Sequence, residues 1–225
     1  MANYQEIIPF IRKVEGGLSK AKTDSASADP VPDGSGYHTN KGVTWKTFKS
    51  FQTRLGVKST GELIKLFYTM PDNVWVKIFK TGYWDPINGD KIKSQAFADT
   101  LVDWAYAAGP GRAIQKTQEF FKVPQTKKMD EKTIQTINSI VDEAELVKKF
   151  SDYKKRWYLA LPNQSANYKG WESRLNQLYA TVSKKIFTKV KENPVLIAVG
   201  LVGVTAAIYF IVKSSKKKDQ VKLAA

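Results

Sequence analysis

Residues 14–44 read VEGGLSKAKTDSASADPVPDGSGYHTNKGVT, and the fold turns on this stretch. Upstream, Ile7, Ile8, Ile11 and Val14 recur at helical spacing, so a helix runs into it. Gly16–Gly17 are expected to end that helix by the usual glycine route. Glu15 then sits on the last turn, at the mouth of a loop. A helix C-terminus carries roughly −0.5 of an elementary charge, which disfavours a second negative charge and suits a proton donor. A long run of Gly, Pro, Ser and Asp follows, too polar and broken for core. It closes on Thr39–Asn40–Lys41–Gly42–Val43–Thr44, read as a short strand or hairpin edge leading into a new helix.

Composition bounds the rest. The 225 residues leave room for one domain of ordinary size plus an appendage. A net charge of +15 points to an anionic partner: nucleic acid, a membrane surface or a cell wall. Residues 184–225 hold nine lysines against Glu192 and Asp219, and the +8 of residues 1–183 is dispersed. With no long basic run and no nucleic-acid motif, nucleic acid is not expected as a partner. Cysteine is absent, which excludes a disulfide scaffold and a thiolate metal site. His38 is the lone histidine, expected to be exposed on the polar loop, so no multi-histidine metal site is available. The N-terminus lacks the basic and apolar segments of a secretory signal.

Downstream, Thr44 reads as the N-cap of a helix bearing Phe48, Phe51 and Leu55, which Gly56 ends. Ser59 and Glu62 have capping-box spacing ahead of a short buried helix. Pro71–Asp72 starts another helix, with Val74, Trp75, Ile78 and Phe79 as core. Residues 94–108 form a long apolar helix, with Asp103 as an ordinary exposed residue. Two more helices occupy 142–160 and 171–190.

Taken together, Glu15-Gly16-Gly17, Asp29-Pro30, Asp33-Gly34-Ser35-Gly36 and Thr39-Asn40-Lys41-Gly42-Val43-Thr44 resemble the signature of family 108 glycoside hydrolases. Tyr83-Trp84-Asp85-Pro86 and Gly170-Trp171-Glu172-Ser173-Arg174 extend the resemblance over roughly residues 4 to 180. These are lysozyme-like muramidases of phages and Gram-negative bacteria that cut peptidoglycan. The resemblance implies that Glu15 is the catalytic acid. It leaves Asp24, Asp29 and Asp33 as candidates for the carboxylate nearest the cut bond, with Asp33 first and Thr39 as a group that orients water or substrate. Asp24, Asp29, His38, Asn40, Tyr83, Trp84 and Tyr106 are candidate substrate contacts. Trp84 is read either as a sugar platform or as the cover of a domain seam. No metal or organic cofactor is implied.

The end of the chain belongs to another class. Pro194 to Val212 is nineteen residues without a charge, PVLIAVGLVGVTAAIYFIV. As a helix it would span about 28 Å, close to a bilayer's hydrocarbon thickness, with lysines on both flanks able to snorkel.

The expected fold is mostly α (α+β): a lysozyme-like lobe with a small β edge over 1–90 and a helical peptidoglycan-binding-like region over 91–183. A basic juxtamembrane segment (184–193), a transmembrane helix (194–212) and a basic tail (213–225) complete it. The expected function is a membrane-anchored muramidase hydrolysing the β-1,4 bond between N-acetylmuramic acid and N-acetylglucosamine. It would serve phage lysis from the host inner membrane, or entry from an internal virion membrane. Peptidoglycan and the lipid bilayer are the expected partners, with virion membrane or capsid proteins as further candidates. A lytic transglycosylase and a catalytically inactive wall-binding or virion structural protein are the alternatives.

Overall fold

The computed structural model describes residues 1–161 and 168–192. Helix α1 (Ile8–Val14) carries Pro9 in its first turn, where no intrahelical N–H is needed, and buries Phe10 and Ile11. Its end differs from expectation. Glu15 itself leaves the helix at φ −88°, ψ 137°, with its N–H still bonded to the Ile11 carbonyl. Neither Gly16 nor Gly17 takes a positive φ, so no left-handed glycine cap is involved.

The chain then runs along a two-stranded hairpin, β1 (Thr39–Asn40) and β2 (Val43–Thr44), with Thr39 opposite Thr44 and Asn40 opposite Val43. Lys41 and Gly42 form the two-residue turn at φ 47° and 76°, the left-handed pair of a type I′ turn. Ser19 bridges to Thr39, and the Lys41 N–H donates to the Gly17 carbonyl at 3.3 Å. These bonds lay the Glu-Gly-Gly segment against the hairpin.

Helix α2 (Trp45–Ser50) starts where the Thr44 hydroxyl accepts from the Thr47 N–H. Helix α3 (Thr60–Thr69) starts on the expected Ser59–Glu62 capping box. Trp45, Phe48 and Phe67 seal the two together, with Phe67 5.3 Å from each of the other rings. Helix α4 (Asp72–Phe79) follows Pro71 and runs into a wide π-helical turn, Lys80–Trp84, that buries Tyr83 and Trp84.

Helix α5 (Gln95–Ala108) buries every residue from Ala96 to Tyr106. A helix apolar on most of its faces belongs in the interior. Asp103, expected at the surface, is therefore buried with its neighbours. Gly109, at φ 86°, turns the chain into α6 (Pro110–Phe120), and Asp130 accepts from the Thr133 N–H at the start of α7 (Glu131–Asn138).

The compact units divide between Ile137 and Asn138, so α5 and α6 belong to the same unit as the lobe that the resemblance implies over 1–90. The reason lies in α5. Its Tyr106 ring packs against Trp75, Phe79 and Tyr83, and Gln95 exchanges hydrogen bonds with the backbone of Asn3. The first lobe therefore cannot close without it.

In the second unit, α8 (Glu143–Leu159) is N-capped by Asp142 and pairs with α9 (Tyr168–Glu192). Lys155–Glu172 at 2.9 Å and Lys189–Glu143 at 3.0 Å set the two helices antiparallel. Ile186 and Val190 are buried, so the segment expected to be juxtamembrane continues α9 as far as Glu192. Among the described residues no helix is long and apolar enough to cross a membrane. The span expected over 194–212 lies outside them.

Candidate active site

Glu15 reaches the surface through the geometry of α1 and the hairpin. A cleft of about 290 Å³ opens there, lined by Glu15, Arg12, Lys41, Asp72, Trp75 and the Gly16–Gly17 backbone. A Cβ added at Gly16 or Gly17 would meet nothing within 4 Å, so the missing side chains keep the mouth open. Gly42 does the opposite. A Cβ there would stand 2.6 Å from the Glu15 carboxyl carbon and 2.7 Å from Tyr106 Cε1. The Glu15 carboxyl is thus pressed between the hairpin turn and the Tyr106 ring.

Beneath it lies an aromatic floor. Tyr106 donates its hydroxyl proton to the Lys41 carbonyl at 2.7 Å, and Trp75 Nε1 donates to the same carbonyl and to the Tyr106 oxygen at 3.1 Å each. The Tyr83 ring centroid is 4.6 Å from that of Tyr106. Its hydroxyl is pushed up to about 12, chiefly by burial; the Thr47 hydroxyl opposes this and the nearby Glu15 charge adds to it. Tyr83 and Tyr106, read from the sequence as substrate contacts, thus support Glu15 from below.

Arg12, one turn before Glu15, pairs with Asp72 at 3.1 Å and stands 5.2 Å from the Trp75 ring centroid. Lys41 Nζ lies 3.7 Å from the same Asp72 carboxylate and donates to the Met70 carbonyl at 2.8 Å. Sequence reasoning missed Arg12, Lys41, Asp72 and Trp75 as cleft residues. The i, i+3 spacing of Arg12 and Glu15 was a usable signal. Asp72 and Trp75 carry no local one, because only the packing of α4 brings them to α1.

The other candidates fall in three places. Thr39 sits in β1, and its hydroxyl meets His38 Nδ1 at 2.9 Å. His38 is fully buried, which corrects the expectation of an exposed side chain. Its Nε2 faces the Ala21 carbonyl at 3.2 Å, which can only accept, so Nε2 donates there. The Thr39 hydroxyl and the Ala21 carbonyl thus engage both ring nitrogens of His38. Asn40, also buried, donates to the Phe67 and Tyr68 carbonyls and ties the hairpin to the end of α3.

On the loop, Asp24 caps the short turn Ser25–Ala28, and Asp29 pairs with Lys49 at 3.1 Å. Asp33 is exposed. Hydrogen bonds from Ser35 and from the Tyr68 hydroxyl hold its carboxyl below the ordinary carboxylate range. Its contribution to folding is therefore complete above that range and is lost as pH falls through its own lowered value. Asp33 does not line the cleft.

Trp84 is fully buried, donates to Asp90 at 2.7 Å and packs on Gly89. It is structural and offers no face to a sugar. Among the described residues no group of three His, Asp or Glu is placed to hold a metal ion.

No curated protein matches the chain in sequence. Among solved structures it is similar to the one titled "Structure of Brucella abortus SagA", with a TM-score of 0.63 and 21% identity over 79% of this chain and 92% of that one. At that identity the likeness carries the fold. Residues 8–109, which hold α1, the organising loop, the hairpin and α5, match the family described as Glycosyl hydrolase 108. That match places Glu15 and its cleft inside a segment, residues 8–109, that is similar to glycoside hydrolase family 108.

Proposed function

We propose that the protein is a peptidoglycan muramidase that hydrolyses the β-1,4 bond between N-acetylmuramic acid and N-acetylglucosamine. One observation carries the reading: Glu15 lies at the end of α1 in an open cleft, inside the segment that matches the hydrolase family. Glu15 protonates the leaving oxygen as the bond breaks. Thr39, in β1, is the group that orients the incoming water or a substrate amide.

Of the loop carboxylates, Asp33 is the one we assign the second role, steadying the oxocarbenium-like transition state or drawing a proton from water; it stands outside the cleft, so the assignment rests on chemistry and not on position. Its support is chemical. The donors around it favour the ionised form, whereas Asp24 and Asp29 already serve as a cap and an ion-pair partner. Asp33→Asn is expected to lower wall digestion about tenfold or more. Asp24→Asn and Asp29→Asn are expected to stay within about threefold, since exposed caps and ion pairs contribute modestly. Rates on purified peptidoglycan rank the three, and an Asp24 loss exceeding that of Asp33 would reassign the role.

The product decides the reaction. A reducing-end muramic acid in the mass spectrum of digested wall is expected. An anhydro-muramic product identifies a transglycosylase, and no cleavage identifies an inactive wall binder.

Attachment to a membrane through residues 194–212 belongs to the same proposal, for host lysis or virion entry, with neighbouring virion membrane or capsid proteins as partners. It rests on the lysine-bracketed apolar run. A cut at 183 would sever α9, so the soluble fragment should end at Glu192. The full chain is expected to resist carbonate extraction, and residues 1–192 to stay in the supernatant and digest wall. Release of the full chain by salt alone would remove the anchor.

A further inference from the structure

We infer that Arg12 and Lys41 form a carboxylate-recognition subsite beside Glu15, for which Asp72 is the resident stand-in. The inference rests on the muramidase reading and names what the site selects: glycan carrying carboxylates, in preference to neutral glycan.

The charges in the cleft support it. Two cations, Arg12 and Lys41, share one carboxylate, Asp72, at 3.1 and 3.7 Å. When Glu15 is protonated, as an acid catalyst must be before it acts, the cleft holds an unmatched positive charge. Each cation is part-exposed, with 40% of its side-chain surface accessible, so both heads stay within reach of a ligand.

Their placement is not casual. Arg12 lies over the Trp75 ring, which holds the guanidinium while its ion pair engages Nη1; a guanidinium has five N–H donors in a fork suited to carboxylates. Lys41 is held at the hairpin turn by its backbone, whose carbonyl accepts from Trp75 and Tyr106. Asp72 is the most exposed of the three, at 69%, and stands at the first position of α4. An exposed carboxylate is readily exchanged, because surface ion pairs contribute little and are screened.

Peptidoglycan presents carboxylates from two sources. Muramic acid has a lactyl carboxylate when its stem peptide is absent, and the stem peptides carry their own. A cleft with low-dielectric walls and one sign of excess charge concentrates such groups.

The test uses the full chain with Glu15→Gln, so that fragments bind without being cut. Calorimetry at low salt compares three soluble fragments: peptide-bearing glycan, peptide-free glycan with lactyl carboxylates, and that glycan with its carboxylates converted to neutral amides. A carboxylate-bearing fragment is expected to bind about tenfold tighter than the neutral one, and the tighter of the first two identifies the source. Arg12→Gln and Lys41→Gln should bring its binding toward the neutral level. Asp72→Asn should do the reverse and tighten binding severalfold, an effect that loss of fold cannot produce. Equal binding of the neutral fragment, or weaker binding in Asp72→Asn, overturns the inference. If that happens while the unsubstituted chain digests wall in a Glu15-dependent way, the muramidase reading stands alone. If the unsubstituted chain cleaves no glycan, both fall.

Discussion

Glu15→Gln is expected to abolish wall digestion, by on the order of 100-fold or more, while the folded structure and its melting temperature stay close to those of the parent. The amide is isosteric, so the fit between Gly42 and the Tyr106 ring is kept. What is lost is the proton. A carboxylic acid can give one to the leaving oxygen as the glycosidic bond lengthens, and an amide cannot. The fold should tolerate the change because Glu15 acts in its helix through its backbone N–H, which still bonds the Ile11 carbonyl. Circular dichroism and thermal melting separate the two effects. Near-parental digestion by a well-folded Glu15→Gln protein would sink the catalytic assignment, whatever the family match.

Gly42→Ala is expected to damage fold and site together. At φ 76° an L-residue other than glycine is strained, at a cost of about 1–3 kcal/mol. The added methyl would also stand 2.6 Å from the Glu15 carboxyl carbon and 2.7 Å from Tyr106 Cε1, closer than real Cβ atoms approach. Overpacking of that kind costs about 1–3 kcal/mol more. Relief must come from Glu15, because Tyr106 is buried and bonded to the Lys41 carbonyl. The acid then swings from its place, and a misplacement of about 1 Å can cost on the order of 100-fold in rate. The expected result is a lower melting temperature together with a fall in kcat that persists well below the melting range. A protein that melts early but turns over normally at low temperature would show that Gly42 supports the hairpin only.

A comparison with Gly16 sharpens the point. A Cβ at Gly16 meets nothing within 4 Å and its φ is not positive. Two glycines of the same signature thus do different work: one leaves the mouth of the cleft open, the other lets the turn approach the acid. Their presence in the sequence marks both, and only the packing tells them apart.

The sequence alone determined what local chemistry can determine. Hydrophobic spacing and caps placed α1, α2, α3, α4 and α5, and Thr44 and Ser59 could be read as caps because they satisfy helix-end N–H groups within their own first turns. The Glu-Gly-Gly and Thr-Asn-Lys-Gly motifs marked Glu15 and the hairpin, since a two-residue turn with both φ positive calls for a glycine. Long-range contact decided the rest. His38 and Asp103 look polar and exposed in sequence, yet His38 can be buried because Thr39 and the Ala21 carbonyl meet both its nitrogens. Trp84 reads equally well as platform or core until Gly89 and Asp90 close over it. Asp72 and Trp75 join Glu15 only because α4 packs beside α1 and the hairpin turn, far from it along the chain. Periodicity reports which face of an element is apolar, and it says nothing of which distant element will cover that face. That is why Glu15 was marked by its motif in the sequence, and the charged cleft around it was decided by the tertiary structure.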